Sequence, residues 1–374
     1  MTDDTAKLHF YGEYPKFFAQ KKLTMIRKNR QSFGFYGKHT IFAYGRTITR
    51  LQIGHQRHYP PMNLAHSIKE EALRLGFSAC GFAKAEQASD EVVRVLDNWT
   101  SRGHHADMGY MERNRHLRID PTLLIPGCRT LIVVALNYYP KHLLPKEKYQ
   151  IAYYAYGKDY HRVVKDKLHQ LLAYVKTCIP STEGRAFCDT APLLERYWAV
   201  KAGLGTIGRN RQLIIPGMGS YFFLGVLAVT AEINGTKGEK ASTNICLDCN
   251  RCLKACPTGA LTADGIDCRR CLSYLTIEHR GDIPDDIAYK MGHRIYGCDA
   301  CQQVCPHNKN AHSTEESAFD MPPEVAAMTP ADWHSLTEER YKSLFKDSAI
   351  ERAGYQGLRR NITAMNGSPS KDED

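Results

Sequence analysis

Seven of the thirteen cysteines in this chain fall into two short runs, each of which ends in Cys-Pro. The runs are Cys246, Cys249, Cys252 and Cys256, then Cys298, Cys301 and Cys305. The first has the spacing Cys-x2-Cys-x2-Cys-x3-Cys-Pro, which positions thiolates to ligate cubane iron–sulfur clusters. Since such clusters carry single electrons, the two runs predict an electron carrier or a redox enzyme.

The spacing also predicts how the thiolates are divided between two [4Fe–4S] clusters. In bacterial ferredoxins the first three cysteines of a run bind one cluster and the fourth binds the other. The predicted sets are Cys246, Cys249, Cys252 and Cys305 for the first cluster, and Cys256, Cys298 and Cys301 for the second. The second set is one ligand short, because Ile295 stands where the run would begin. Either Cys268 or Cys271, which lie between the runs, would complete it.

Other cysteine chemistries agree less well with this pattern. Cys268 and Cys271 could form half of a zinc site, but the missing cluster ligand argues against zinc. Disulfides are not expected, since the chain shows no secretory signal and this spacing indicates metal binding in a cytosolic protein. Four cysteines have no partner at metal-ligand spacing and are predicted to be small buried thiols. They are Cys80, Cys128, Cys178 and Cys188.

The positive charge of the chain is concentrated at its N-terminal end. Residues 1–61 carry eight of the ten net positive charges, so the remaining residues are close to neutral. This extension has neither the apolar stretch of a secretory signal nor an adjacent arginine pair. We expect it to be disordered or foreign to the native protein, with Met62 as the functional start, or else to be a basic arm that contacts nucleic acid. No apolar stretch is long enough to predict a transmembrane helix.

The length of 374 residues predicts two main domains. We expect an α+β fold in which an N-terminal α/β domain at 62–234 precedes a ferredoxin-like domain at 235–312. A C-terminal segment at 313–374 would end in a disordered tail from Gly367. The apolar patterns predict strands at 130–139 and 221–230, and helices at 63–75, 161–178, 193–201 and 337–346.

A glycine-rich motif, Gly203-x-Gly205-x-x-Gly208, matches the spacing of a dinucleotide-binding turn. It follows a predicted helix, however, whereas a dinucleotide-binding turn follows a strand. We therefore predict a tight turn in which the backbone approaches a ligand or another element closely. The residue patterns name no organic cofactor, because the common cobalamin motif Asp-x-His-x-x-Gly is absent.

Several specific segments of the chain carry a resemblance to a known family. They are 118–126 (RIDPTLLIP), 133–139 (VVALNYY), 156–161 (YGKDYH), 189–196 (DTAPLLER), 202–205 (AGLG), 219–225 (GSYFFLG), 271–278 (CLSYLTIE) and 296–301 (YGCDAC). On these segments the chain resembles the epoxyqueuosine reductases from Met62 to about residue 362. It departs from the family's common pattern at Thr206, Arg209 and Val226, where members often carry Trp, Lys and an acid.

The resemblance implies an enzyme that reduces the epoxide of epoxyqueuosine in tRNA to give queuosine. It implies two [4Fe–4S] clusters and a cobalamin bound base-off in the N-terminal domain. The partners would be a tRNA carrying epoxyqueuosine in its anticodon loop and an external low-potential electron donor. We expect a cytoplasmic monomer that does not contact a membrane. The alternatives are a two-cluster electron-transfer module without cobalamin and a cobalamin enzyme like the reductive dehalogenases.

The resemblance also implies roles for individual residues. Asp189 would donate the proton to the opening epoxide, and Cys271 would complete the second cluster. The residues lining the cobalamin pocket would be Arg118, Asp189, Leu213 and Leu224. Lys158 and Arg196 would contact the cofactor or tRNA phosphate, or else form surface ion pairs.

The residues around Asp189 leave two interpretations open. Taken alone, an aspartate before Thr-Ala-Pro-Leu predicts a helix N-cap, whereas the family resemblance favours a proton donor. A carboxylic acid must be protonated to serve as a general acid at neutral pH. We expect burial beside the apolar corrin face to favour that protonated form.

Overall fold

The computed structural model describes residues 64–234 and 245–366. The predicted basic extension at 1–61 and the predicted tail from Gly367 lie outside the described residues. In the described part of the chain, no helix is both long enough and apolar enough to cross a membrane.

Helices and mostly short strands follow one another along the chain. The strands are β1 (Ala79–Lys84), β2 (Thr130–Asn137), β3 (Gln150–Ile151), β4 (Gly184–Phe187), β5 (Thr206–Ile207), β6 (Leu213–Ile214), β7 (Phe222–Val229) and β8 (Arg294–Tyr296). The helices are α1 (Leu64–Arg74), α2 (Asp90–Ser101), α3 (Arg115–Ile119), α4 (Tyr160–Cys178), α5 (Glu195–Lys201), α6 (Arg251–Lys254), α7 (Leu272–Ile277), α8 (Asp285–Ala288), α9 (Ala300–Gln303), α10 (Pro323–Ala327), α11 (Pro330–His334), α12 (Glu338–Leu344) and α13 (Gly354–Asn366). This mixture of helix and sheet confirms the predicted α+β class.

The largest sheet within the described residues has four antiparallel strands in the order β1-β2-β7-β4. Its central strands, β2 and β7, pair over their full lengths. Side chains alternate between the two faces of a strand. Ile132 and Val134 therefore enter one apolar core, whereas Leu131 enters another on the opposite face. The strands predicted at 130–139 and 221–230 are confirmed as β2 and β7.

Helices cover both faces of this sheet. α1 and α4 pack against each other and against β1 and β7, whereas α5 contacts β1, β2 and β7 from the other side. The buried stripe of α4 is Val164, Leu168, Leu171 and Val175. This is the spacing of an amphipathic helix. The helices predicted at 63–75, 161–178, 193–201 and 337–346 are confirmed as α1, α4, α5 and α12.

The first turn of α4 is held close to β7. Gly225 of β7 permits this approach, because a Cβ atom there would lie 2.8 Å from Val164 Cγ1. Asp159 caps the helix by accepting the backbone N–H of His161 at 2.9 Å. Tyr160 stacks on Phe223 with ring centroids 4.2 Å apart. The start of α4 therefore presents Tyr160 and His161 at a defined place beside the sheet.

The glycine motif forms a tight turn between α5 and β5. Gly203 adopts a φ of +79°, which glycine tolerates best. A Cβ atom on Gly205 would lie 2.2 Å from the carbonyl oxygen of Ile214 in β6. This short distance confirms the predicted close approach of the turn to another element. Because the turn follows a helix and not a strand, it lacks the context of a dinucleotide-binding site.

The C-terminal segment is more helical than the sequence predicts. The sequence predicts one helix there, at 337–346, which corresponds to α12. The structure also contains α10, α11 and α13. Leu358 and Ile362 of α13 enter the same core as α4. Asn361 Nδ2 donates to the carbonyl oxygens of Thr276 at 2.8 Å and Ile295 at 2.9 Å. These contacts with residues distant in sequence stabilise a helix that local pattern does not reveal.

The four cysteines that are predicted to be buried thiols differ in their burial. Cys80, Cys128 and Cys188 are buried, which confirms the prediction for them. Cys178 is exposed, so its prediction is wrong. It is the last residue of α4, and the buried stripe of that helix ends at Val175.

Candidate active site and cluster ligands

Asp189 lies at the start of the loop that follows β4. Its φ of +53° is in the left-handed region, which aspartate tolerates better than most residues. Its backbone N–H donates to Glu195 Oε1 at 2.6 Å, and its Oδ2 accepts a hydrogen bond from the Tyr160 hydroxyl at 2.5 Å. Contacts with two different helices thus hold a carboxylate in an unusual backbone conformation.

The predicted N-cap role of Asp189 is wrong. α5 begins at Glu195, and its N-cap position is Leu194. The local pattern misleads because the loop from Asp189 to Leu194 does not enter the helix directly. The Asp189 side chain is 66% exposed among the protein's own residues, so the expected burial must come from a bound group. The carboxylate is therefore open to a ligand or substrate that approaches from solvent.

Tyr160 and His161 complete the surroundings of this carboxylate. Burial, followed by the charge of Asp189, raises the pKa of Tyr160 well above its ordinary value, so the hydroxyl remains a donor. His161 stacks on Tyr160. Its Nδ1 lies 2.6 Å from Asp159 Oδ1, and its Nε2 lies 3.9 Å from Asp189 Oδ2. His161 therefore stands between two carboxylates, close to the exposed one.

Glu195 is the second acid of this site. Burial, followed by the negative charge of Asp189, raises its pKa to about 8. The neutral form of the Glu195 carboxyl is therefore favoured near neutral pH, and its Oε1 accepts the Asp189 N–H. Sequence reasoning missed Tyr160, His161 and Glu195 as site residues. The available signal was their place in the segments 156–161 and 189–196, which carry the resemblance.

Arg118 is a buried cation near this group. Its Nη2 donates to the Tyr110 carbonyl at 2.8 Å, and its buried Nε has no hydrogen-bond partner among the described residues. Burial lowers the pKa of Arg118, and the ionised forms of Tyr110, Glu195 and Asp189 would oppose this effect. A buried donor without a partner is costly. Arg118 thus fits a ligand with oxygen acceptors.

The other predicted pocket residues lie on the α5 side of the sheet. Leu213 of β6 is buried in the second core, and Leu224 of β7 packs against that core. Leu224 keeps part of an apolar side chain accessible on this side, whereas Leu213 is packed inside the core. Lys158 and Arg196 are both exposed. The positive charge of Arg196 acts on Glu195, where burial and the Asp189 charge have larger effects.

The first predicted cysteine set occupies one neighbourhood. Burial raises the pKa of Cys305, and negative charge on Cys246, Cys252 and Cys249 raises it further. Such charge effects act over short distances in a protein. Cys305 therefore lies within range of the charge of Cys246, Cys249 and Cys252, which are more than 50 residues away in sequence. Among the described residues, however, no group of three or more Cys, His, Asp or Glu side chains is arranged to hold a metal ion.

Charge effects also connect members of the second predicted set with one another and with the first set. Burial, followed by charge on Cys298 and Cys271, raises the pKa of Cys301. Burial raises the pKa of Cys271, and charge on Cys256 adds to the effect. Charge on Cys252 also acts on Cys301, so the two sets adjoin. Since bound thiolates must be deprotonated, these raised pKa values make metal binding a proton-releasing step.

Arg209, where the chain departs from the family's common lysine, holds the loop of the first set. Its backbone N–H donates to Cys246 Sγ at 3.3 Å. Its guanidinium donates to the carbonyl oxygens of Leu247 at 2.9 Å and Cys249 at 3.3 Å, and to Asn250 Oδ1. A planar guanidinium can satisfy several acceptors at once. Arg209 thus connects the glycine turn to the cysteine loop.

We expect Arg209→Lys to loosen this loop. A lysine cannot reproduce the fork of donors, and each lost hydrogen bond costs about 1 kcal/mol. Backbone amides of residues 246–250 should therefore exchange with deuterium on the order of tenfold faster. Arg211→Lys is the matched control, because Arg211 lies in the same turn and donates instead to Ala263. Equal exchange rates in both variants and the parent protein would contradict the role given to Arg209.

Comparisons with known proteins match both halves of the described chain. Residues 118–190 match the family model described as "Epoxyqueuosine reductase QueG, DUF1730". Residues 245–308, which include both cysteine runs, match the model of the "4Fe-4S double cluster binding domain". An epoxyqueuosine reductase of Leadbetterella byssophila is 42% identical over 297 residues, which cover 79% of this chain and 96% of that protein.

Solved structures give the same relationship. An epoxyqueuosine reductase with an epoxyqueuosine-modified tRNA-Tyr stem loop is 29% identical, with a TM-score of 0.73 over 81% of this chain and 80% of that one. The enzyme of Bacillus subtilis is 28% identical, with a TM-score of 0.73 over the same shares of the two chains. That structure is described as having its catalytic aspartate loop swung out of the active site.

Proposed function

Since the chain belongs to the epoxyqueuosine reductase family, we propose that it reduces the epoxide of epoxyqueuosine in tRNA to give queuosine. The family predicted from the sequence is confirmed, and the chain is an oxidoreductase with a 4Fe-4S double cluster binding domain. The observation that carries the proposal is the exposed Asp189 carboxylate, held by Tyr160 and Glu195. The related enzyme with a modified tRNA stem loop supports tRNA as the substrate.

The residues present fit the cofactors that we propose. The two cysteine sets, with Cys271 as the fourth ligand of the second, would hold two [4Fe–4S] clusters. Arg118 would offer its unpartnered buried Nε to a polar group of a base-off cobalamin. Leu224, which packs against the core that contains Leu213, would offer apolar surface. These groups would supply single electrons and a low-potential cobalt centre for the two-electron reduction.

The side chains around Asp189 would deliver a proton to the epoxide oxygen. An epoxide oxygen that is released from carbon must be protonated, and Asp189 is the acid we assign to this step. The Tyr160 hydroxyl donates to Asp189 Oδ2 and so fixes the orientation of the carboxyl group. His161, with Nε2 at 3.9 Å from the same oxygen, would return a proton to Asp189 after each turnover.

Substrate binding would change the environment of Asp189. Its side chain is 66% exposed in the free protein, and a tRNA base placed over it would remove water from the carboxyl group. Desolvation favours the protonated form of a carboxylic acid. The swung-out aspartate loop of the Bacillus subtilis enzyme supports a loop that moves. In this chain, hydrogen bonds from Tyr160 and to Glu195 would hold it in place.

The partners follow from this chemistry. An external low-potential donor would supply the electrons, and the enzyme would act as a monomer in the cytoplasm, where its tRNA substrate is found. The test is anaerobic incubation of the reconstituted protein with cobalamin, a reductant and tRNA that carries epoxyqueuosine, followed by mass spectrometry of the nucleosides. Conversion to queuosine that depends on cobalamin supports the proposal. Retention of iron without cobalamin would favour the electron-transfer module instead.

We expect turnover to fall as the pH rises through about 8. Glu195 is neutral below the pKa of about 8 to which burial and the Asp189 charge raise it. Above that value its negative charge opposes the negative charge that Asp189 acquires when it gives up its proton. Above the pKa the rate should decline by about tenfold per pH unit. Glu195→Gln keeps an oxygen acceptor for the Asp189 N–H without an ionisable group, so its alkaline decline should be smaller. If the parent protein and Glu195→Gln have identical pH profiles of turnover between about pH 6 and pH 9, Glu195 does not have this role.

The raised pKa of Glu195 also predicts that folding stability depends on pH. A carboxyl group with a raised pKa in the folded protein binds its proton more tightly than in the unfolded chain, so it stabilises the fold at low pH. That contribution is lost as the pH rises from the ordinary value of 4.5 towards about 8. The melting temperature of the parent should therefore decline more than that of Glu195→Gln over this interval.

A further inference from the structure

Three exposed basic side chains surround the place where the first cysteine set reaches the surface. They are Arg251 and Lys254 of α6 and Lys309, which follows the second cysteine run. We call this surface the basic face. It contains two cavities of about 440 and about 660 Å³ that share Arg251, Lys254 and Pro306 in their walls. Cys249 lines the first cavity and Cys305 lines the second.

The charge of the basic face is a local concentration. Asp248 is the acidic residue among the described residues that line these cavities, against the three cations. The chain after residue 61 has nearly equal numbers of acidic and basic residues. A surface patch of one sign attracts a partner of the opposite sign and accelerates its association. The basic face therefore suits an acidic partner.

Apolar residues complete this surface. Leu247 is 69% exposed and Val304 is 36% exposed. Val304 lines the second cavity, and Leu247 precedes Asp248, which lines the first. Small interfaces with an apolar centre and a charged rim are typical of transient encounters between electron-transfer proteins. The combination of exposed Leu, Val and three cations around cysteine ligands matches that description.

We propose that the basic face docks an acidic, single-electron carrier protein that reduces the first cluster. The inference rests on the proposed function, because it requires the clusters. In each encounter the carrier would lose one electron and the first cluster would gain it, and no bond would form or break. Cys249 and Cys305 of the first set line the surface cavities, whereas the residues that line these two cavities include no member of the second set. The face is thus an entry for electrons that continue inward.

A second occupant of a basic surface could be tRNA, because phosphates also bind cations. The observations favour the carrier. The basic face is formed by α6 and the residues after the second cysteine run, around two cluster ligands. Asp189 is surrounded instead by residues from the first turns of α4 and α5. A tRNA base must reach Asp189, whereas an electron donor must reach a cluster.

The test measures how fast a reduced flavodoxin, an acidic one-electron carrier, reduces the clusters in anaerobic stopped-flow experiments on the reconstituted protein. The test variant is Lys254→Glu with Lys309→Glu. The matched control is Lys84→Glu with Lys346→Glu, which makes the same change of net charge at exposed positions on other elements. At low ionic strength the rate should fall on the order of tenfold in the test variant and stay near the parent value in the control.

Two further measurements separate docking from damage to the clusters. Dithionite, a small reductant that needs no docking surface, should bleach the clusters of all proteins at equal rates. The difference with flavodoxin should shrink at about 1 M salt, where charges are screened. Because bleaching is recorded without tRNA or cobalamin, a failure of epoxide reduction would leave this test intact. Equal flavodoxin rates in the test variant and control would overturn the proposal. So would loss of stem-loop tRNA affinity with an unchanged flavodoxin rate.

Discussion

Asp189→Asn is expected to lose epoxide reduction by a factor on the order of 10² to 10⁴, the range that general acids contribute. Asparagine has the same shape, tolerates the left-handed backbone at φ +53°, and can still accept the Tyr160 hydrogen bond. Its amide cannot act as the acid. Iron content, cobalamin content and melting temperature should therefore match the parent protein. Turnover is followed by the formation of queuosine in tRNA.

Two controls define what the loss means. Asp166→Asn removes an exposed carboxylate from α4 and should leave turnover unchanged. Tyr160→Phe removes the hydroxyl that donates to Asp189 Oδ2, so the acid is retained but less well oriented, and the loss should be smaller than in Asp189→Asn. Full activity of Asp189→Asn would sink the proton-donor assignment.

Cys271→Ala is expected to remove the second cluster, which is about half of the roughly eight irons, whereas Cys268→Ala should retain both clusters. Cys271 acts by its charge on Cys301 and on Cys298, both members of the second set. Cys268 lies beside Cys271 but is buried in an apolar cluster with Leu272. Cys271 and Cys298 pack against this same cluster, so Cys271 is distinguished by the effect of its charge on Cys301 and Cys298.

The measurement is the iron count of anaerobically reconstituted protein, together with its EPR spectrum after reduction. The paired substitutions share the same change of side chain, so a general loss of stability would affect both. Iron loss from Cys268→Ala with retention in Cys271→Ala would reverse the assignment. Two intact clusters in both variants would show that neither cysteine is the missing ligand.

Much of the architecture could be predicted because it depends on short-range pattern. Runs of apolar residues, buried on both faces of the sheet, predict the strands β2 and β7. The spacing of the buried apolar residues predicts the helix α4. The two cysteine runs have a spacing that few other chemistries use. In these cases the residues that determine the feature are neighbours in the sequence.

The site around Asp189 was predicted only in part. The family resemblance points to Asp189, but the local pattern misreads it as a helix cap because it contains no information on Glu195 as the true start of α5. The left-handed turn at Asp189 depends on Glu195, the first residue of α5, and on Tyr160, which is 29 residues away. No periodicity in the sequence records such a contact.

The sequence by itself determined the redox character of this protein, because thiolate number and spacing decide which metal groups a chain can hold. The tertiary structure alone decided which thiols meet, which acid is exposed and which is protonated. Glu195 has its raised pKa only because folding buries it and sets the charge of Asp189 beside it. Helix α13 is stabilised because Leu358 and Ile362 pack into a core formed by residues distant in sequence. Burial and charge proximity are properties of three-dimensional neighbours, and those neighbours exist only after the chain has folded.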